Sequence, residues 1–241
     1  MLGQFKDTLM RRATKMDCLR ALIGNGLNIR TVIDVGILDD TEPLRTAFSK
    51  SKQYLFEPVE EFHPTIRQNY QGVDFELVGA AASDIDGTVS LATRTIIADM
   101  AISHSGIQDA SAPKSDNVRQ VESVRLDTFV KAKGIQGNIL LKVDVDGAEL
   151  KVLQGARDVF DRIDVVIVEA SRTFCFERFE FLHRHGFGLF DIVDICYYTG
   201  FFHQADMIFL RNPLLQDARF NGWKRGPFDK SQWQSLNAVS Y

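Results

Sequence analysis

Short β-branched runs alternate with segments of helical spacing along most of the chain. Thr31-Val32-Ile33-Asp34-Val35-Gly36 reads as a first strand and the turn after it, and residues 42–50 as a helix. Tyr54-Leu55-Phe56-Glu57-Pro58 reads as a second strand stopped by proline, residues 59–69 as a second helix, and Asp74 to Val78 as a third strand. The rhythm resumes further on. Leu126 to Lys133 suggests a helix, Asn138 to Asp144 a strongly apolar central strand, and Ala148 to Ala156 a helix. Ile163 to Glu169 is another strand of the kind buried on both faces, and Phe174 to His185 is a helix closed at Gly186. Gly188 to Ile195 and His203 to Leu210 read as the last two strands. The few residues between them, Tyr197 to Phe202, suit a hairpin better than a crossover helix. Alternation of this kind predicts an α/β fold: a mostly parallel sheet with helices on both faces, mixed at one end.

Three regions fall outside that rhythm. Leu9, Met10, Ala13, Met16, Leu19 and Ile23 follow helical spacing and make residues 1–28 an N-terminal helical segment. Gly87 to Leu91 reads as an extra strand, after which residues 92–120 are polar and aperiodic. A stretch of that length inside a domain of residues 29–211 is either a lid or substrate loop, or simply a mobile loop. Residues 212–241, with Trp223 and Trp233, form a tail that either docks or stays disordered.

Composition narrows the picture. With 241 residues and 45% hydrophobic positions, the chain can bury a full core without disulfides or metal. A net charge of −4 gives no reason to expect nucleic acid as a partner. Cys18, Cys175 and Cys196 form no close pair and suggest free thiols in a reducing, cytoplasmic setting. No secretory leader and no membrane span are expected. Oligomeric state is left open, with a homo-oligomer one possibility.

In open α/β sheets ligands bind beyond the carboxyl ends of the strands, where strand order reverses. The residues there are acidic or glycine. Gly36 would let the backbone approach a ligand, while Asp34 would orient that turn, cap it, or meet a cationic group. Glu57 has the position and chemistry to accept hydrogen bonds from two ribose hydroxyls. Ser83 and Asp84 follow the third strand, where an adenine edge would lie, and Asp144 ends the fourth. Each residue alone has a structural explanation; the case rests on their order at successive strand ends. The acidic set favours S-adenosylmethionine, whose sulfonium and ammonium groups are cationic. Asp39 and Asp40 would repel the diphosphate of a dinucleotide, which disfavours a nicotinamide dehydrogenase.

Those residues resemble the FkbM family of methyltransferases from about Thr31 to Arg211. Val32 to Gly36 looks like the family's first motif and Phe56-Glu57-Pro58 like its second. Lys142-Val143-Asp144-Val145-Asp146-Gly147-Ala148-Glu149, continuing through Leu153 and Gly155-Ala156, is similar to its most distinctive segment, and Val166 to Glu169 follows as expected. Smaller echoes are Ala82-Ser83-Asp84 with Gly87-Thr88-Val89, and Leu126-Asp127. The resemblance implies a Rossmann-like class I methyltransferase fold with seven strands, the last antiparallel. It implies S-adenosylmethionine held by Asp34, Gly36, Glu57 and Asp84, with Asp144 near the reacting centre. The acceptor it implies is a hydroxyl on a sugar or small metabolite.

The first turn departs from the family. Ile37 and Leu38 replace Ala-Asn, and Asp40 stands where a second glycine belongs. Asp40 would crowd the pocket or meet the donor's amino group, so donor binding is either rearranged or lost. The alternative reading is therefore an inactive binding or scaffolding module on the same fold. For an active enzyme the expected chemistry is in-line methyl transfer to oxygen, with Asp144 as general base and His104 as a second candidate. His63, His183, His185 and His203 read as structural. A metal held by Asp144, Asp146 and Glu149 is a minor reading, and none is assigned.

Overall fold

A computed structural model of the chain describes residues 12–94, 104–107 and 118–235, with only the backbone described at 94, 104 and 105. In chain order the strands are β1 (Thr31–Val35), β2 (Lys52–Phe56), β3 (Phe75–Val78), β4 (Ala81–Ser83), β5 (Gly87–Arg94), β6 (His104–Ile107), β7 (Val118–Arg125), β8 (Ile139–Val143), β9 (Ile163–Ser171), β10 (Phe187–Tyr198) and β11 (Phe201–Arg211). The α-helices are α1 (Lys15–Gly24), α2 (Glu42–Ala47), α3 (His63–Asn69), α4 (Leu126–Ala132), α5 (Glu149–Ala156), α6 (Cys175–Arg184) and α7 (Asn212–Leu215).

Seven strands form the main sheet in the order β10-β11-β9-β8-β1-β2-β3. The pairs β9-β8, β8-β1, β1-β2 and β2-β3 are parallel, and β11 runs antiparallel to both neighbours. This is the class I methyltransferase topology expected from the sequence. The β10–β11 connection is the predicted hairpin: Thr199 and Gly200 both take positive φ, 49° and 84°, the geometry of a two-residue turn that matches strand twist.

Alternation along the central strands explains why both faces are covered. Ile33, Val35, Leu141, Val143, Val166 and Val168 join a cluster with residues of α4, α5 and α6. Val32, Leu140, Val165 and Ile167 point the other way and pack with Leu19 and Leu22 of α1 and Leu44 of α2. Each such side chain contributes about 1.5–3 kcal/mol through burial, so the sheet centre is the most strongly fixed part of the molecule. The chain leaves β1 toward one edge, through β2 and β3, and later returns to β8 on the other side. The strand-order reversal thus lies between β1 and β8.

Residues 92–120 are not wholly irregular. Ala92 to Arg94 complete β5, His104–Ile107 is β6, and β7 begins at Val118; with β4 they make a second sheet in the order β4-β7-β5-β6. The polar composition concealed it because β7 buries little: its first five residues are exposed or half-buried. Such strands lack the apolar alternation that marks a core strand. The rest of the predicted loop lies outside the described residues.

The tail is split in character. Leu214 and Leu215 pack against the α1 side of the core, and Phe220 is buried there. Beyond it Trp223, Phe228 and Trp233 form an exposed ring cluster with centroids 6.3 and 6.0 Å apart. At the other terminus, Thr14 caps α1 by accepting a hydrogen bond from the Asp17 N–H at 3.2 Å. The predicted start of that helix, before residue 12, lies outside the described residues. None of the described helices is long and apolar enough to cross a membrane.

Candidate active site

The carboxyl ends of β2, β1, β8 and β9 open into a cavity of about 220 Å³ at the strand-order reversal. Its floor includes Gly36, Leu38, Glu57, Asp144 and Glu169. Ala80 to Ala82, Leu91, Gly106 and Ile107 enclose it from the smaller sheet and the segment leading into it.

Glu57 is buried, and its two oxygens are held separately. Leu38 N–H donates to Oε2 and Val59 N–H to Oε1, both at 2.9 Å. Burial pushes this carboxyl up to about 7, although the two N–H donors and Lys142 pull the other way. His63 Nε2 donates to the Glu57 carbonyl at 2.8 Å and so fixes the backbone beneath.

At the centre Lys142 is a buried ammonium inside an otherwise apolar strand. It donates to the Gly36 carbonyl at 2.8 Å and lies 3.3 Å from Asp34 and 3.4 Å from Asp144. Burial alone would depress it, but the two carboxylates outweigh that and hold its pKa above the ordinary value. The Asp144 side chain is 35% exposed and lines the cavity.

Next to it stands Glu169. The parallel pairing Val143↔Val168 places the following residues, Asp144 and Glu169, side by side, and both line the cavity. Gln204 Nε2 donates to Glu169 Oε1. Burial, reinforced by the charges of Asp144, Asp206 and Glu149, pushes Glu169 up to about 8. Asp206, opposite Glu169 on β11, is also raised by burial, against the pull of Lys15 at 2.7 Å.

The sequence-predicted residues divide clearly. Gly36, Glu57 and Asp144 line the cavity; Asp34, Ser83 and Asp84 do not. Asp34 is fully buried and faces Lys142, so it positions that ammonium. Ser83 donates to Asp84 at 2.9 Å, and the Ser83 carbonyl lies against α5. There a Cβ on Gly155 would stand 1.9 Å from that carbonyl oxygen. The wall expected from Ser83 and Asp84 is instead made by the three preceding alanines. Gly36 is also required by the backbone beside it. It has φ +76°, and a Cβ there would come within 1.8 Å of the Asp144 carbonyl oxygen. His104 lies on β6 opposite Arg94, and its side chain lies outside the described residues.

The altered turn accounts for itself. Ile37 is buried with Leu55, Ile66 and Tyr70. Leu38 takes φ +59° and supplies the N–H that holds Glu57. Asp40 neither crowds the cavity nor enters it: its carboxylate takes a bidentate grip from Arg45 at 2.9 and 2.8 Å. Glu149 is likewise committed, to the N–H groups of Val145 and Gly147 and to Arg178. Among the described residues no group of three acidic, histidine or cysteine side chains is arranged to hold a metal.

Lys142, Glu169 and Gln204 carry no role in the sequence reading. The available signals were a lysine interrupting an apolar strand and a glutamate closing another; Gln204 had none.

The family model described as Methyltransferase FkbM domain matches residues 28–189. No curated protein matches the chain in sequence. Among solved structures, an rRNA methylase from Streptococcus thermophilus is similar over 80% of this chain and 93% of its own, at 10% identity and a TM-score of 0.48. A precorrin-6y C5,15-methyltransferase from Geobacter metallireducens is similar over 86% and 92%, at 10% identity and a TM-score of 0.45.

Proposed function

The chain belongs to the FkbM methyltransferase family, and on that premise we propose that it moves a methyl group from S-adenosylmethionine to a hydroxyl of a sugar or small metabolite. The observation that carries the reading is the row of carboxyl groups across the cavity floor, from Glu57 to Asp144 and Glu169. When bound, the donor supplies an electrophilic methyl group on a sulfonium. Glu57 is suited to the ribose: each oxygen is fixed by one backbone N–H and retains a lone pair for a hydroxyl. Acidic side chains at the other end suit a cation. Asp144, on the cavity wall beside Lys142, is the group placed to take a hydroxyl proton, in preference to His104.

Beyond Glu169 the sheet offers room for an acceptor. Gln204 lines the donor cavity and pairs with Ser171, which lines a second recess with Arg172, Tyr198, Phe201 and His203. Aromatic faces beside hydroxyl and guanidinium groups suit a polyhydroxylated ring. The scaffold alternative drew on the altered first turn, and the Asp40–Arg45 pair removes that motive because it keeps the aspartate out of the cavity.

Calorimetric titration with S-adenosylmethionine and S-adenosylhomocysteine tests the proposal. Micromolar binding is expected for both, weakened about 100-fold in Glu57→Ala, the loss of roughly 3 kcal/mol of charge-assisted hydrogen bonding. A folded protein that binds neither compound would return the reading to a scaffold.

A further inference from the structure

We propose that Asp144 and Glu169 hold one proton between them, that seating the cationic donor expels it, and that the acceptor's hydroxyl proton returns to the same pair on methyl transfer. The inference rests on reading the cavity as the donor site.

The proton is required by the crowding of the two carboxyl groups. Strand register seats them side by side in one cavity, and like charges so close disfavour ionisation of both. Charge distribution along the row says where it stays. Asp34 and Asp144 share Lys142, Asp206 has Lys15, and Glu149 has Arg178. Among the described residues Glu169 has no ion-pair partner; its fixed neighbour is the neutral Gln204 amide. The charged groups around it are Asp144 at the end of β8, Asp206 on β11 and Glu149 on α5, with the Lys142 and Lys15 ammonium groups one step further, on Asp144 and Asp206. Glu169 is accordingly pushed up to about 8, by burial first and those acidic charges second.

A sulfonium placed against Asp144 reverses that balance, because a nearby cation favours the ionised form of both carboxyls. Transfer then restores it. The hydroxyl O–H bond breaks and an O–CH3 bond forms. The C–S bond breaks with its electron pair left on sulfur, and the freed proton passes to the Asp144–Glu169 pair. Net charge is conserved: the pair loses one negative charge as sulfur loses its positive one. The site can therefore tell donor from spent product by charge, while Glu57 meets the same ribose in both.

Proton uptake or release is read by calorimetric titration at pH 7 in buffers of differing ionisation enthalpy. S-adenosylmethionine should release about one more proton per site than S-adenosylhomocysteine. In Glu169→Gln both compounds should still bind, with equal proton release. Should that variant unfold, Asp144→Asn removes the same shared proton and should give the same equality. Equal release by the two compounds in the native protein, or a difference that survives in the folded variant, overturns this inference alone. A native protein that binds neither compound overturns the donor reading, and the inference falls with it.

Discussion

Glu57 and Glu169 stand at opposite ends of one cavity, with β1 and β8 between their strands. Both are carboxyls raised toward neutrality by burial. They differ in what holds them. Glu57 is fixed by backbone N–H groups of its own turn and of the turn after β1. Glu169 is fixed by side chains reached across the sheet: Asp144, Gln204 and, one step further, the Lys142 and Lys15 ammonium groups. Backbone anchoring makes the ribose end a property of local chain geometry. Side-chain anchoring makes the transfer end a network, whose members respond to one another.

The sharpest way to break that contrast is to remove the centre of the network. Lys142→Met leaves Asp34 buried without a counter-charge and should cost about 3–5 kcal/mol in unfolding free energy, read by chemical denaturation. Adding Asp34→Leu should recover most of that loss. If Lys142→Met alone is tolerated within about 1 kcal/mol, the transfer end is not held as a network.

Titration separates the two ends next. A carboxyl whose folded pKa is raised stabilises the fold below its ordinary value and loses that contribution as pH climbs through the folded one. Glu57 rises from 4.5 to about 7, and Glu169 from 4.5 to about 8. The ligand-free protein should therefore lose stability between about pH 4.5 and 8, by roughly 3 kcal/mol for Glu57 and by more for Glu169. Glu57→Gln should lessen the slope of the Tm profile below about pH 7 only, whereas Glu169→Gln should lessen it throughout and remove what remains between about pH 7 and 8. A profile flat or rising across that range in the native protein would contradict both assignments.

The smallest effect tests the first turn. Asp40→Gly restores the residue usual in the family but removes a partly exposed pair with Arg45. It should change stability by less than about 1 kcal/mol and leave donor affinity, read by calorimetry, within about threefold. A large gain in affinity would mean that Asp40 does reach the donor.

Much of this was legible in the sequence, and unevenly so. Alternating strand and helix signals made the mostly parallel sheet legible, because central strands buried on both faces read as continuous apolar runs, while its seven-stranded topology came with the family resemblance. Glu57 and Asp144 were found because a residue at a strand's carboxyl end keeps that place whatever surrounds it. Glu169 and Lys142 lay in recognised motifs but gained roles only once register set them beside Asp144 and Asp34. Ser83 and Asp84 stand at a strand end as expected, but the cavity wall there is lined by Ala80 to Ala82, and the Ser83 carbonyl lies against Gly155 of α5, a contact between distant segments. The second sheet escaped because strands that bury little leave no apolar trace.

The ring cluster beyond Phe220 has a practical consequence. Trp223 and Trp233 are the two tryptophans of the chain, and they are 76% and 65% exposed in the tail, away from the cavity lining. Indole emission therefore reports on solvated rings packed around Phe228 and carries no signal from the floor where Glu57 and Glu169 lie. An optical melting curve follows the tail coming loose, whereas circular dichroism follows the sheet. A spectroscopist who wants to watch the cavity must first install a fluorophore there.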